Sequence, residues 1–291
     1  MFRFGIGLWA ATLALACGAP ALAAEPIGIV AAENFYGDLA SQIGGAHVRV
    51  TSVLANPDED PHLFETTAST ARLLTTAQIV IYNGADYDPW MEALLATAGA
   101  PGRSVLVAAQ LTGHKSGDNP HLWYDPATFP AVAAALEQDL AARDPADAAE
   151  FEANLQRFDA AFADVVKGAA TIKATYAGTS VTATEPVFGY MAAAMGFNML
   201  NVPFQFSIMN DTEPSPSDVT GFEDSLKSGK AKILFYNSQV TDDTTGRLLD
   251  LAKQSGVPVV GVTETEPAGQ TIESWFAAEI AAVQTALKAS H

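Results

Sequence analysis

DPADAAEFEANLQRFDAAFADVVKGAATIKA, residues 144–174, is the stretch around which the rest of the chain arranges itself. Asp144-Pro145 sets a capping residue before a proline, whose fixed φ suits the first turn of a helix. Phe151, Leu155, Phe158, Phe162 and Val165 then follow at spacings of 4, 3, 4 and 3, which gathers them on one helical face. The spacing predicts one long amphipathic helix over 146–174. Such a helix is either an ordinary core helix or, given its central position, a rigid connector between two halves.

On both sides of it the pattern changes. Short, β-branched apolar runs occur at 27–30, 47–53, 78–82 and 104–107, and again at 180–183, 198–202, 232–236 and 257–262. Stretches of helical spacing such as 35–43 and 218–226 separate them, an alternation that predicts parallel sheets covered by helices. The fold class is therefore α/β, with an N-terminal lobe over 25–143, the connecting helix over 144–174 and a C-terminal lobe over 175–291. No long Gly/Ser tract suggests a flexible tether.

Composition narrows the function. Of 291 residues, 33 are acidic and 15 basic, a net charge of −18 that repels nucleic-acid backbones and anionic membranes and attracts cations. Arg3, an apolar run over 5–17 and Ala21-Leu22-Ala23 form the charged, apolar and small-residue regions of a secretory signal peptide, residues 1–24. That run is shorter than the roughly 20 residues that span a bilayer. Cys17, the one cysteine, is a poor match to a lipid attachment site and leaves with the signal, so the exported chain has no thiol for disulfides, nucleophiles or metal ligation.

Two of the five histidines share a setting: NPDEDPHL, with His62, and DNPHLW, with His121. In each, Pro-His-Leu follows a turn-forming acidic stretch, and the proline stiffens the backbone before the imidazole. Either histidine alone reads most simply as structural; the repetition points to metal ligation. Glu185 follows the 180–183 strand and Glu264 the 257–262 strand, at the carboxyl ends where open α/β sheets form ligand crevices. Either carboxylate also reads as a solvated loop charge, and Glu266 competes with Glu264. Two neutral imidazoles with two carboxylates make a site of charge −2 that a divalent cation neutralises: Zn2+ at four-coordination, or Mn2+ if the carboxylates bind bidentately.

Taken as a set, NPDEDPHLFE (56–65), AQIVIYNGADYDPW (77–90), NPHLWYDP (119–126), EPVFGYM (185–191), EPSPSD (213–218) and VPVVGVTETEP (257–267) resemble the periplasmic zinc/manganese solute-binding proteins of ABC transporters, the cluster A-I or TroA-like family. The resemblance runs through almost the whole exported chain in family order. It implies two lobes, each around a four-stranded sheet, joined by a long helix, with the metal ion between them on His62, His121, Glu185 and Glu264. It further implies a monomeric, non-enzymatic periplasmic receptor that hands zinc or manganese to an ABC permease. Zinc-specific members often carry a histidine where Glu185 stands and a His-rich loop before the second ligand, where this chain has only His114 in a short segment. At the fourth position the family usually has aspartate. A secreted metal-dependent hydrolase is the alternative, and would need a coordination position open to water.

Overall fold

The computed structural model describes residues 25–56, 64–240 and 243–290. The first half runs β1 (Ile27–Glu33), α1 (Asn34–Gly44), β2 (Val48–Leu54), α2 (Ala68–Thr76), β3 (Ile79–Tyr82), α3 (Pro89–Thr97), β4 (Ser104–Val107), α4 (Ala108–Thr112) and α5 (Thr128–Arg143). After α6 (Ala148–Tyr176) come β5 (Ser180–Ala183), α7 (Gly189–Ala194), β6 (Asn198–Met199), α8 (Val202–Met209), α9 (Pro216–Lys227), β7 (Leu234–Asn237), α10 (Asp243–Gln254), β8 (Val259–Val262) and α11 (Ile272–Ala289).

Each half builds one four-stranded sheet, ordered β2-β1-β3-β4 and β6-β5-β7-β8, and every pairing is parallel. The two orders are the same. In both, the chain reverses direction across the sheet at the central pair, β1 with β3 and β5 with β7. Crevices form beyond the carboxyl ends of the strands at such a switch point.

All eight expected strands are present, with one correction. The run 198–202 yields only a two-residue strand, because Asn201 takes a left-handed conformation (φ 57°) and Pro203 then opens α8. The long helix begins at Ala148 and not at 146. Leu140 O accepts from Asp144 N–H and closes α5, so 144–147 form the turn and Asp147 occupies the cap position. The helix extends to Tyr176, 29 residues and roughly 43 Å at 1.5 Å per residue.

Phe151, Phe158, Phe162 and Val165 of α6 are buried as the spacing predicts, whereas Leu155 is only partly so. Asn154 takes a buried place on this face, its amide donating to Ile43 O at the end of α1 (2.9 Å). Along its length α6 packs on α1 and α5 from the first half and on α7 and α11 from the second. One apolar core therefore runs through both halves. It reaches from Ile29 and Ile79 under the first sheet, through Phe129, Phe162 and Trp275, to Val181 and Phe235 under the second. Edge-on aromatic contacts knit this zone, with Phe129 to Phe162 at 5.7 Å and Tyr124 to Trp275 at 5.7 Å between ring centres.

Candidate metal centre

His121, Glu185 and Glu264 all lie where the carboxyl ends of the two sheets face each other, and each is almost wholly removed from solvent. His121 enters on the segment between α4 and α5, just before a 3-10 turn, Leu122–Tyr124. Glu185 follows β5 and precedes Pro186, and Glu264 follows β8. His62 lies outside the described residues.

The state of His121 is legible from its neighbours. Asn119 Nδ2 donates to Pro186 O (2.8 Å), which turns the amide oxygen toward the imidazole. That oxygen accepts from His121 Nδ1–H at 2.7 Å and from His121 N–H at 3.2 Å. Nδ1 therefore carries a hydrogen, and in the neutral ring the lone pair lies on Nε2. Nε2 is buried, has no hydrogen-bond donor, and stands 3.6 Å from Glu264 Oε2. A lone pair facing a carboxylate oxygen in a dry setting repels it unless a cation lies between them.

Glu264 is fixed through both carboxyl oxygens. Tyr87 OH donates to Oε2 (3.0 Å) and Asn237 Nδ2 to Oε1 (2.7 Å). Gln239 Oε1 accepts from the Glu264 backbone N–H, and Gln239 Nε2 donates to Thr265 Oγ1 (2.6 Å), so the turn after β8 is pinned as well as the side chain. Asn237 Nδ2 also lies 3.4 Å from Glu185 Oε2. One amide therefore bridges both carboxylates, and His121 meets Glu264 directly. Tyr87 has its phenol pushed well above its ordinary pKa, first by burial and then by the charge of Glu264, so it remains a donor.

Glu266 belongs elsewhere. Its backbone N–H donates to Asn34 Oδ1 (3.0 Å) and its carbonyl accepts from Asn34 Nδ2 (2.7 Å). Burial, then the charges of Asp38 of α1 and Glu273 of α11, push its carboxyl up to about 8. His114 also stands apart, with Nε2 3.3 Å from Asp125 and Nδ1 3.6 Å from Asp118. Among the described residues, one other group has ligand atoms close together: His47, Asp144 and Asp147 at the α5–α6 turn. There both ring nitrogens already face carboxylates, Asp147 at 3.1 Å and Glu150 at 3.2 Å.

Reading strand ends for charge singles out Glu185 and Glu264 but passes over Tyr87, Asn119, Asn237 and Gln239, none of which is ionised. The signal for Asn237 was available, since it ends β7 at the switch point of the second sheet.

A profile of the family described as "Zinc-uptake complex component A periplasmic" matches residues 29–286. The chain belongs to this family. Among its relatives, the manganese-binding lipoprotein MntA of Bacillus subtilis is 24% identical over 281 residues, covering 91% of this chain and 90% of that one. The iron-binding protein YfeA of Yersinia pestis is 24% identical over 265 residues, covering 86% and 81%. In fold, the periplasmic zinc binding protein TroA from Treponema pallidum superposes with a TM-score of 0.72 at 20% identity, covering 90% of this chain and 99% of that one. Members of the family thus share the two-lobed α/β fold described above, and the names of these three relatives carry three different metals.

Proposed function

We propose that this family member is a periplasmic receptor that captures a divalent transition-metal ion, Zn2+ or Mn2+, and delivers it to the membrane permease of an ABC transporter. It acts as a monomer and not as an enzyme, and residues 1–24 direct its export. His62, His121, Glu185 and Glu264 hold the ion.

The observation that carries this reading is His121 Nε2, buried without a hydrogen-bond partner, its ring oriented by Asn119, and set 3.6 Å from the Glu264 carboxyl. A proton on Nε2 would relieve the repulsion only by charging a buried ring, whereas a divalent cation draws in both groups and Glu185. Two imidazoles and two carboxylates suit zinc at four-coordination. A carboxylate in place of a third histidine, and room for bidentate binding, suit manganese. Four protein ligands leave little place for an activated water, which favours carriage over hydrolysis.

The test is chelator competition on metal-stripped protein, with zinc and manganese titrated separately. Wild type should bind one equivalent tightly; His121→Ala and Glu185→Gln should each lose affinity by about a hundredfold or more, beyond the 10–100-fold of outer-shell changes. Wild-type affinity in both variants would refute the site. Metal content of protein recovered from its own periplasm then decides between the ions, because zinc outcompetes manganese at such donors in vitro.

A further inference from the structure

The turn that carries Glu264 has no helix or strand to satisfy its backbone. Residues 263–267 run irregularly between β8 and α11, and Glu264, Thr265 and Glu266 are buried. Buried peptide groups outside a ladder or helix need other partners, and here side chains supply them. From the second half, Gln239 Oε1 accepts from the N–H groups of Glu264 and Thr265, and Thr263 Oγ1 donates to Thr265 O (2.8 Å). From the first half, Tyr124 OH donates to Thr263 O (2.9 Å). The N–H and the carbonyl of Glu266 are both met by one side chain of the first half, Asn34.

Asn34 opens α1 directly after β1. Its Oδ1 accepts from Glu266 N–H at 3.0 Å and its Nδ2 donates to Glu266 O at 2.7 Å. A peptide N–H can only donate and a peptide carbonyl can only accept, so the two contacts together fix which end of the amide is oxygen. One amide thus pairs with Glu266 as a neighbouring strand would, across 232 positions of sequence. The same face of α1 continues along the segment, since residues four apart stand one above the other on a helix. Asp38 Oδ2 accepts from Ile272 N–H (3.0 Å), one of the N–H groups left free at the start of α11. Gln42 Nε2 lies 2.8 Å from Asp38 Oδ2 and 3.3 Å from Glu273 Oε2. Of the three, Asn34 alone acts within two residues of Glu264. It grips backbone, so the carboxyl of Glu266 is no part of the clamp.

We propose that Asn34 is a positioning residue for the metal centre: by pairing with both peptide groups of Glu266 it completes the turn after β8, so that the second half presents the Glu264 carboxyl toward His121 only with the first half in place. The effect on affinity rests on the metal reading above; the clamp itself does not. Without Asn34, two buried peptide groups lose their partners and the turn must relax toward water to recover them. That shift begins two residues from Glu264, whose Oε2 stands 3.6 Å from His121 Nε2.

The experiment uses the exported chain with three variants. Asn34→Leu keeps the size but neither donates nor accepts, Asn34→Asp still accepts from Glu266 N–H but cannot donate to its carbonyl, and Asp38→Ala breaks the same stripe at α11, away from Glu264. In metal-free protein, hydrogen exchange of the Glu266 amide, read by NMR, should quicken about tenfold or more in Asn34→Leu and little in Asp38→Ala. Zinc affinity by chelator competition should fall about tenfold or more in Asn34→Leu, fall less in Asn34→Asp and stay within about threefold in Asp38→Ala, the scale of outer-shell changes. The visible absorption of bound Co2+, which reads ligand geometry and not fold stability, should shift in Asn34→Leu and match wild type in Asp38→Ala. Wild-type zinc affinity and Co2+ bands in a folded Asn34→Leu, or an equal loss in Asp38→Ala, overturn the proposal. If Asn34→Leu does not fold, Asn34→Asp decides in the same way, a loss of zinc affinity supporting the clamp and wild-type affinity overturning it. If wild type binds no zinc, the metal reading fails, and exchange at Glu266 alone judges the clamp.

Discussion

A single amide orients His121. Because Asn119 donates its NH2 to Pro186 O, only its oxygen meets Nδ1, and in the neutral ring the lone pair lies on Nε2. Asn119→Ala should therefore weaken zinc binding by about 10–100-fold while leaving the imidazole in place. Asn119→Asp, which still accepts from Nδ1, should recover part of the loss; equal loss in both would argue for a packing role. Glu264→Gln and Glu266→Gln separate the two C-terminal candidates. The first should lower affinity, and the second should leave it near wild type, since Glu266 faces Asp38 and Glu273. Glu266→Gln should instead act on stability. Its carboxyl is pushed up to about 8 from an ordinary value near 4.5, so the wild type loses stability as pH rises between those values and the glutamine variant loses less. Thermal melts of metal-free protein from pH 5 to 8.5 read that slope. The place of Glu185 and Glu264 was legible in sequence because charge at strand ends is conspicuous. The neutral groups that aim them were not, because an asparagine at the end of a strand looks the same whether it orients a ligand or caps a turn.

At the scale of elements, hydrophobic spacing placed α6 to within two residues at each end, and the same arithmetic found every strand. It failed where a single backbone angle decides: nothing in NMLNV (198–202) marks Asn201 as left-handed, and so β6 ends three residues early. It also failed at Leu155, where the helical face is shared with Asn154, a polar residue whose amide serves the end of α1. Phe162 is where α6 meets both halves, packing on Phe129 of α5 and Phe276 of α11. Phe162→Ala should cost about 3–5 kcal/mol in unfolding free energy, as large-to-small changes in close-packed cores do. Denaturant melts measure the loss, and zinc stoichiometry should stay at one. A loss below about 1 kcal/mol would mean that α6 is not the shared spine of the core.

For the whole molecule, the continuous core is the property that constrains how metal enters and leaves. Tyr124, three residues beyond His121, donates its hydroxyl toward Glu279 Oε1 (2.7 Å) and Thr263 O (2.9 Å), and Thr263 immediately precedes Glu264. The two halves are thus tied behind the centre as well as across it, and wide hinge opening would break this buried node. Metal release should proceed through local loop shifts, with the radius of gyration from small-angle scattering nearly unchanged between metal-free and loaded protein. Loading should stabilise the fold by about 4 kcal/mol when free metal exceeds the dissociation constant a thousandfold. The two-lobed plan was legible from the strand count on either side of α6, but the shared core was not, since contacts between distant helices leave no periodic trace. The central proposal is that His62, His121, Glu185 and Glu264 together hold one divalent ion. X-ray absorption of the zinc-loaded protein tests it most directly. The first shell should be nitrogen and oxygen alone, with outer-shell scattering from two imidazoles that drops to one in His121→Ala. A spectrum without imidazole scattering, or one that His121→Ala leaves unchanged, would contradict it.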